Sequence, residues 1–206
     1  MDFSKITQKI LPVLNLSSLE QADLIAQLMK ESNLTYLEIT LRNDNAMTVL
    51  SHILSNHPTL IVGVGTIIKS DDMFSVAESG AHFGVTPGMN STLYAAMDNS
   101  SLPIIPGVST ISEAMEAMEH GCDYVKLFPA SQIGLKTVKS WSGPLENISI
   151  CATGGLDIDS AKEWLEVPQV KMVGGGWMAP KEMLDKAVNG DVESLEILRY
   201  NFQQLY

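Results

Sequence analysis

The chain has 206 residues, of which 45% are hydrophobic, 18% charged and 6% aromatic, too apolar for a disordered chain and too unbiased for a fibrous one. Thirteen Lys and Arg against 24 Asp and Glu leave a formal net charge of −11. No basic cluster is present to neutralise phosphates, so nucleic acid and anionic membrane surfaces are excluded as partners.

Cys122 and Cys151 lie in apolar segments and are too few for a disulfide framework, which points to a reducing compartment. The first residues, Met1-Asp2-Phe3-Ser4-Lys5, lack the basic region and apolar run of a signal peptide. No stretch of about 18 residues is continuously apolar, as a membrane span would require. A cytoplasmic protein is expected.

In chain order, short runs rich in β-branched residues fall at 10–14, 36–40, 60–63, 83–86, 103–105, 124–128, 148–152 and 170–173. Between them apolar residues recur at helical spacing, as in Leu19, Ala22, Ile25, Ala26 and Met29, or Ala46, Val49, Leu50, Ile53 and Leu54. Ser17, Ser70, Ser109-Thr110 and Asp157 are placed to cap helices, and Asn33, Gly80 and Gly121 to end them. The tail 191–206, with Leu195, Leu198, Phe202 and Leu205 on one face, predicts a terminal helix.

Strands alternating with helices through short loops imply parallel βαβ units. No linker or compositional break divides the chain, so 1–206 is expected to be one domain. A dinucleotide-binding sheet would carry its glycine fingerprint after the first strand, where the chain reads Leu14-Asn15-Leu16-Ser17-Ser18. Gly63-Val64-Gly65-Thr66 follows the third strand instead and lacks the third glycine. A (β/α)8 barrel with a C-terminal helix is therefore expected, with its site at the carboxyl ends of the strands.

Lys126 interrupts the apolar run Tyr124-Val125-Lys126-Leu127-Phe128. A period of two puts it on the face of Tyr124 and Phe128, opposite Val125 and Leu127. If the aliphatic pair meets the helices, the lysine points into the barrel, where desolvation favours the neutral amine that attacks carbonyls. A structural ion pair, or a strand-end lysine reaching water, is the alternative. Glu38 repeats the pattern in Tyr36-Leu37-Glu38-Ile39-Thr40 and could shuttle protons, or merely partner Lys126 or Arg42. Arg42 stands where its planar fork could hold a substrate carboxylate.

Thr153-Gly154-Gly155 and Gly174-Gly175-Gly176 follow the seventh and eighth predicted strands. Glycines there let backbone N–H groups approach a phosphate, although turn geometry alone would also explain them. His52, His57, His82 and His120 lack metal-ligand spacing, and neither cysteine pairs with a histidine, so no metal site is expected. Trp177 suits either a plug at the barrel end or a subunit contact.

From about Ile10 to Met178 the chain resembles the bacterial 2-keto-3-deoxy-6-phosphogluconate (KDPG) aldolases, which also act as 4-hydroxy-2-oxoglutarate (KHG) aldolases. The resemblance is carried by Leu37-Glu38-Ile39-Thr40-Leu41-Arg42, Val62-Gly63-Val64-Gly65-Thr66, Val85-Thr86-Pro87-Gly88 and Ile105-Pro106-Gly107-Val108-Ser109-Thr110. It continues through Val125-Lys126-Leu127-Phe128-Pro129-Ala130, Thr153-Gly154-Gly155 and Val173-Gly174-Gly175-Gly176-Trp177. It implies a homotrimeric class I aldolase acting on a keto acid, phosphorylated in the KDPG case, without metal or organic cofactor. The family's Schiff-base lysine falls on Lys126, its proton-transferring glutamate on Glu38 and its carboxylate-binding arginine on Arg42. Thr66, Pro87, Phe128 and Thr153 match residues lining its pyruvate pocket.

The sequence departs from the family where Gly176 replaces the usual phosphate-binding Ser, where Ala152 replaces Pro, and where Ser32-Asn33 replace Gly-Gly. The loop Ser131-Gln132-Ile133-Gly134 also lacks the usual acidic residue and Gly-Gly pair. Two rival functions share the glycine loops: another phosphosugar-barrel isomerase or decarboxylase, which would not need Lys126 as a nucleophile, and a non-catalytic phospho-ligand-binding barrel.

Overall fold

The computed structural model describes residues 1–204, so Leu205 of the predicted tail lies outside the described residues. Among the described residues nine strands form one sheet, all paired in parallel, in the order β5-β4-β3-β2-β1-β9-β8-β7-β6. They are β1 (Ile10–Leu14), β2 (Tyr36–Thr40), β3 (Ile61–Gly65), β4 (Phe83–Val85), β5 (Ile104–Ile105), β6 (Gly107–Val108), β7 (Tyr124–Leu127), β8 (Ser149–Thr153) and β9 (Val170–Gly175).

The sheet curls into a nearly closed barrel. The fifth predicted run, 103–105, supplies only β5; beyond Pro106 lies β6, a short strand that the sequence does not predict, with β5 pairing β4 and β6 pairing β7. Pro106 has no N–H for the ladder. The Gly107 N–H donates to the Thr86 side chain at 2.9 Å, and the Pro106 carbonyl accepts from the Lys126 N–H at 2.8 Å. This short segment therefore joins the two ends of the sheet.

Strand alternation separates two cores. Leu11, Phe83, Val85, Ile105, Tyr124, Cys151 and Met172 fill the barrel, while Leu37, Ile39, Val125 and Leu127 face the surrounding helices. Phe3 closes the amino-terminal end, its ring 5.9 Å from that of Phe83 and 5.6 Å from that of Tyr124.

The helices cover the barrel through the faces that spacing predicts. In α1 (Leu19–Glu31), Ala22, Ile25, Ala26 and Met29 are buried, whereas Leu19 is exposed. In α2 (Ala46–Asn56), Ala46, Val49, Leu50 and Ile53 are buried. Thr110 and Asp157 cap their helices with reciprocal capping boxes. Two caps differ from expectation. Ser18 caps α1, while the Ser17 N–H is taken by the Gln21 side chain. Ser70 is already helical, and Lys69 stands before it without a side-chain cap. A last helix, Val192–Gln203, buries Ser194, Leu198 and Phe202. Among the described residues, no helix is long and apolar enough to cross a membrane.

Candidate active site

Lys126 on β7 and Glu38 on β2 meet inside the barrel. The ammonium donates to both carboxylate oxygens, at 3.2 and 3.4 Å, and the two side chains are 7% and 1% exposed. Their strands are separated by β1, β9 and β8, so only curvature brings them together. The Lys126 Nζ also lies 5.6 Å from the centroid of the Phe128 ring. An amine enclosed against a carboxylate that can take its proton is equipped to attack a carbonyl and expel water from the adduct.

Gly65 of β3 makes room for this pair, and Gly63 for the Phe83 ring beside it. A Cβ on Gly65 would collide with the Glu38 carboxyl, and one on Gly63 with the Phe83 ring. In the sequence, Gly63-Val64-Gly65-Thr66 is an incomplete dinucleotide fingerprint and one of the motifs that carry the family resemblance. The structural signal is that both glycines share the inward face of β3, beside Glu38 on β2.

Thr66 ends β3 with φ of 65°, which is strained for a β-branched residue. Its hydroxyl accepts from Arg42 Nε at 3.3 Å and so sets the direction of the exposed guanidinium. A cavity of about 380 Å³ opens here, lined by Val13, Asn15, Thr40, Arg42, Phe128, Thr153, Gly154, Gly155, Gly175, Gly176 and Lys181 among others. A larger cleft, about 410 Å³, lies at the amino-terminal ends of β1 and β2. It holds no comparable chemistry, because the Gln8 amide that lines it is bonded to the backbone of Ile10, Thr35 and Tyr36.

Arg42, Phe128, Thr153, Gly154, Gly155, Gly175 and Gly176 are thus brought to one cavity. Thr66 borders it through Arg42. Pro87, Gly174 and the buried pair Lys126 and Glu38 are not in its wall; the Phe128 ring, which is, lies between the cavity and Lys126. Pro87 abuts Gly107, and a Cβ on Gly174 would lie 2.9 Å from the Thr153 hydroxyl. Gly154 and Gly155 have φ of 99° and 70°, and the space beside them is taken by the Phe128 ring and by Ser131. Only glycine fits there. Beneath the mouth, burial raises the Cys151 thiol to about 11, opposed by its contact with the Thr153 hydroxyl, 3.7 Å away.

Lys181 was missed by the sequence reading. It opens the helix Lys181–Val188, reaches the cavity, and pairs with Asp185 at 2.9 Å. Asp185 in turn accepts from Gln21 at 2.6 Å. A lysine at a helix start just beyond the last glycine loop is the signal that could have identified it.

The site is thus a lysine and a glutamate in contact inside a nearly closed α/β barrel, beside a cavity lined by glycine loops. Residues 3–196 match the family model of the KDPG and KHG aldolases. The 2-dehydro-3-deoxy-phosphogluconate aldolase of Pseudomonas aeruginosa is 37% identical over 190 residues, 91% of this chain and 86% of its own. The KHG/KDPG aldolase of Escherichia coli is 33% identical over 180 residues, 87% and 84% respectively. The solved KDPG aldolase of Legionella pneumophila, with pyruvate captured at low pH as a covalent carbinolamine intermediate, superposes with a TM-score of 0.88 at 30% identity. That alignment covers 96% of this chain and 93% of the other. The chain belongs to the KDPG and KHG aldolase family.

Proposed function

We propose that this protein is a class I aldolase. It cleaves 2-keto-3-deoxy-6-phosphogluconate to pyruvate and glyceraldehyde 3-phosphate, or 4-hydroxy-2-oxoglutarate to pyruvate and glyoxylate, or both. The observation that carries this reading is the enclosed contact of Lys126 with both oxygens of Glu38. The carbinolamine trapped in the Legionella relative supports the same chemistry.

The Lys126 amine attacks the C2 ketone, and Glu38 relays the protons that turn the carbinolamine into an iminium and water. The iminium then acts as electron sink. Glu38, through a water, takes the C4 hydroxyl proton, the C3–C4 bond breaks, and the aldehyde leaves. The remaining enamine is protonated at C3, and hydrolysis of the iminium frees pyruvate and Lys126. The lysine supplies the electrophile, so the reaction requires neither metal nor organic cofactor.

Arg42, steered by Thr66, holds the substrate carboxylate, and Phe128, Thr153 and Pro87 shape the pyruvate end. The N–H groups of Gly154, Gly155, Gly175 and Gly176 receive a distal phosphate, with Lys181 supplying a cation where Gly176 lacks the family's serine hydroxyl. Occupation of the solved Zymomonas mobilis relative by 3-phosphoglycerate supports a phosphate subsite in this fold.

The same reading takes residues 1–206 as one domain and the segment through Pro106 as a single strand of an eightfold barrel, covered by the helix Val192–Gln203. Family resemblance supports a homotrimer. The two unpaired cysteines support a cytoplasmic location.

Incubation with pyruvate and borohydride tests the assignment. One reduced pyruvate per chain, on Lys126, is expected, together with turnover that EDTA leaves unchanged. Labelling of another lysine, or turnover surviving Lys126→Ala, overturns it. Turnover without trapping would instead indicate an isomerase or decarboxylase, and binding without either a non-catalytic barrel.

A further inference from the structure

On the outer side of the helix layer, Asp23 of α1 meets His52 of α2 and His57 just beyond it. The same carboxylate oxygen, Oδ1, lies 2.7 Å from Nε2 of His52 and 2.8 Å from Nε2 of His57. The three donor atoms all lie within 4.8 Å of one another. Asp23 is 54% exposed at its side chain, while the imidazoles are 21% and 27% exposed, so the rings are held by their surroundings and the cluster remains open to solvent.

We propose that Asp23, His52 and His57 form a binding site for Zn²⁺ or another imidazole-seeking divalent transition ion, separate from the aldolase centre. Two imidazoles and one carboxylate leave a fourth, solvent position of a tetrahedral shell. Zinc bonds of about 2.0–2.2 Å require donors about 3.3–3.6 Å apart in a tetrahedron. The contacts of 2.7 and 2.8 Å widen to that value by a small rotation of the exposed Asp23 side chain.

Two surrounding features favour a cation. Glu20, one turn before Asp23, adds a negative charge felt by Asp23 and His52. A surface groove past Leu19, Met47, Ser51 and His52 provides the entry path.

The experiment uses full-length protein without a polyhistidine tag, stripped with EDTA and dialysed. Titration calorimetry with ZnCl₂ should show one ion per chain, while MgCl₂, unsuited to imidazole, should show none. Asp23→Asn and His57→Gln should each weaken zinc binding by more than about tenfold, at least the cost of losing a supporting group. Wild-type aldolase turnover in these variants verifies their folding.

In the unmodified chain, zinc should shield His52 and His57 from diethyl pyrocarbonate, a readout that needs no variant. The proposal is overturned if zinc does not bind, if it binds the Asp23→Asn/His57→Gln double variant undiminished, or if both histidines stay equally reactive in its presence. Failure here leaves the borohydride result on Lys126 untouched.

Discussion

Gly65 is the vacancy into which Glu38 fits: a methyl group on Gly65 would occupy the space of the Glu38 carboxyl. The Glu38 side chain can then place both oxygens against Lys126. Gly65→Ala must move the glutamate or the strand. Turnover should fall at least about a hundredfold, the lower range for loss of a positioned acid–base group, with a stability loss of about 1–3 kcal/mol from overpacking. Kinetics read beside chemical denaturation check this. Wild-type turnover in a stable Gly65→Ala protein would contradict the positioning role.

Glu38→Gln preserves volume but cannot carry the proton. A fall of about 10²–10⁴-fold in kcat is expected, the usual worth of general acid–base catalysis. Rapid-quench trapping should show slower iminium formation at unchanged pyruvate affinity. Near-normal turnover would reduce Glu38 to a structural partner of Lys126.

Thr66 carries backbone strain of about 1–3 kcal/mol while its hydroxyl aims Arg42. Thr66→Gly removes both. The melting temperature should stay level or rise, and KM should increase for phosphorylated and unphosphorylated keto acids alike, because both carry the carboxylate. A lower melting temperature with unchanged KM would show that Thr66 matters only to the turn.

Gly176 and Lys181 flank the distal end of the cavity, so substituting them should separate the two substrates. Gly176 lies outside the left-handed region, and a Cβ there would have the Val13 carbonyl as its near neighbour at 3.4 Å, so serine fits. Gly176→Ser should raise kcat/KM for the phosphorylated substrate about tenfold, equivalent to a charge-assisted hydrogen bond of about 1.5 kcal/mol. Lys181→Met should lower it, and neither change should affect 4-hydroxy-2-oxoglutarate. Equal effects on both substrates would mean that these residues do not read phosphate.

Cys151 is buried in the barrel with its thiol raised to about 11, chiefly by desolvation. The thiolate is the reactive form, so the native protein should resist iodoacetamide at Cys151 at neutral pH and react there only on unfolding. The sign for stability follows: a raised thiol favours the folded state below the ordinary value and costs stability as pH rises above it. Mass spectrometry of native and denatured samples reads the labelling, and rapid native alkylation would refute the burial argument.

The strands, the helix faces and the inward direction of Lys126 and Glu38 were legible in the sequence because they depend on local periodicity. Tyr124, Lys126 and Phe128 alternate against Val125 and Leu127 whatever the rest of the chain does. The resemblance to a known aldolase family was legible for the same reason, being carried by contiguous motifs. Pro106 was visible, but not the short strand β6 beyond it, because two residues form a strand there only through the neighbour they meet, β7.

Convergence required the fold. Glu38 and Lys126 are 88 residues apart and touch only because the sheet curls. Lys181 joins Arg42 and the glycine loops because the last strand returns beside the first. Asp23 reaches His52 and His57 through the packing of α1 on α2, a meeting that the spacing of the histidines alone does not show. Periodicity sets the side of an element on which a residue stands, whereas register and curvature decide what faces it across a gap.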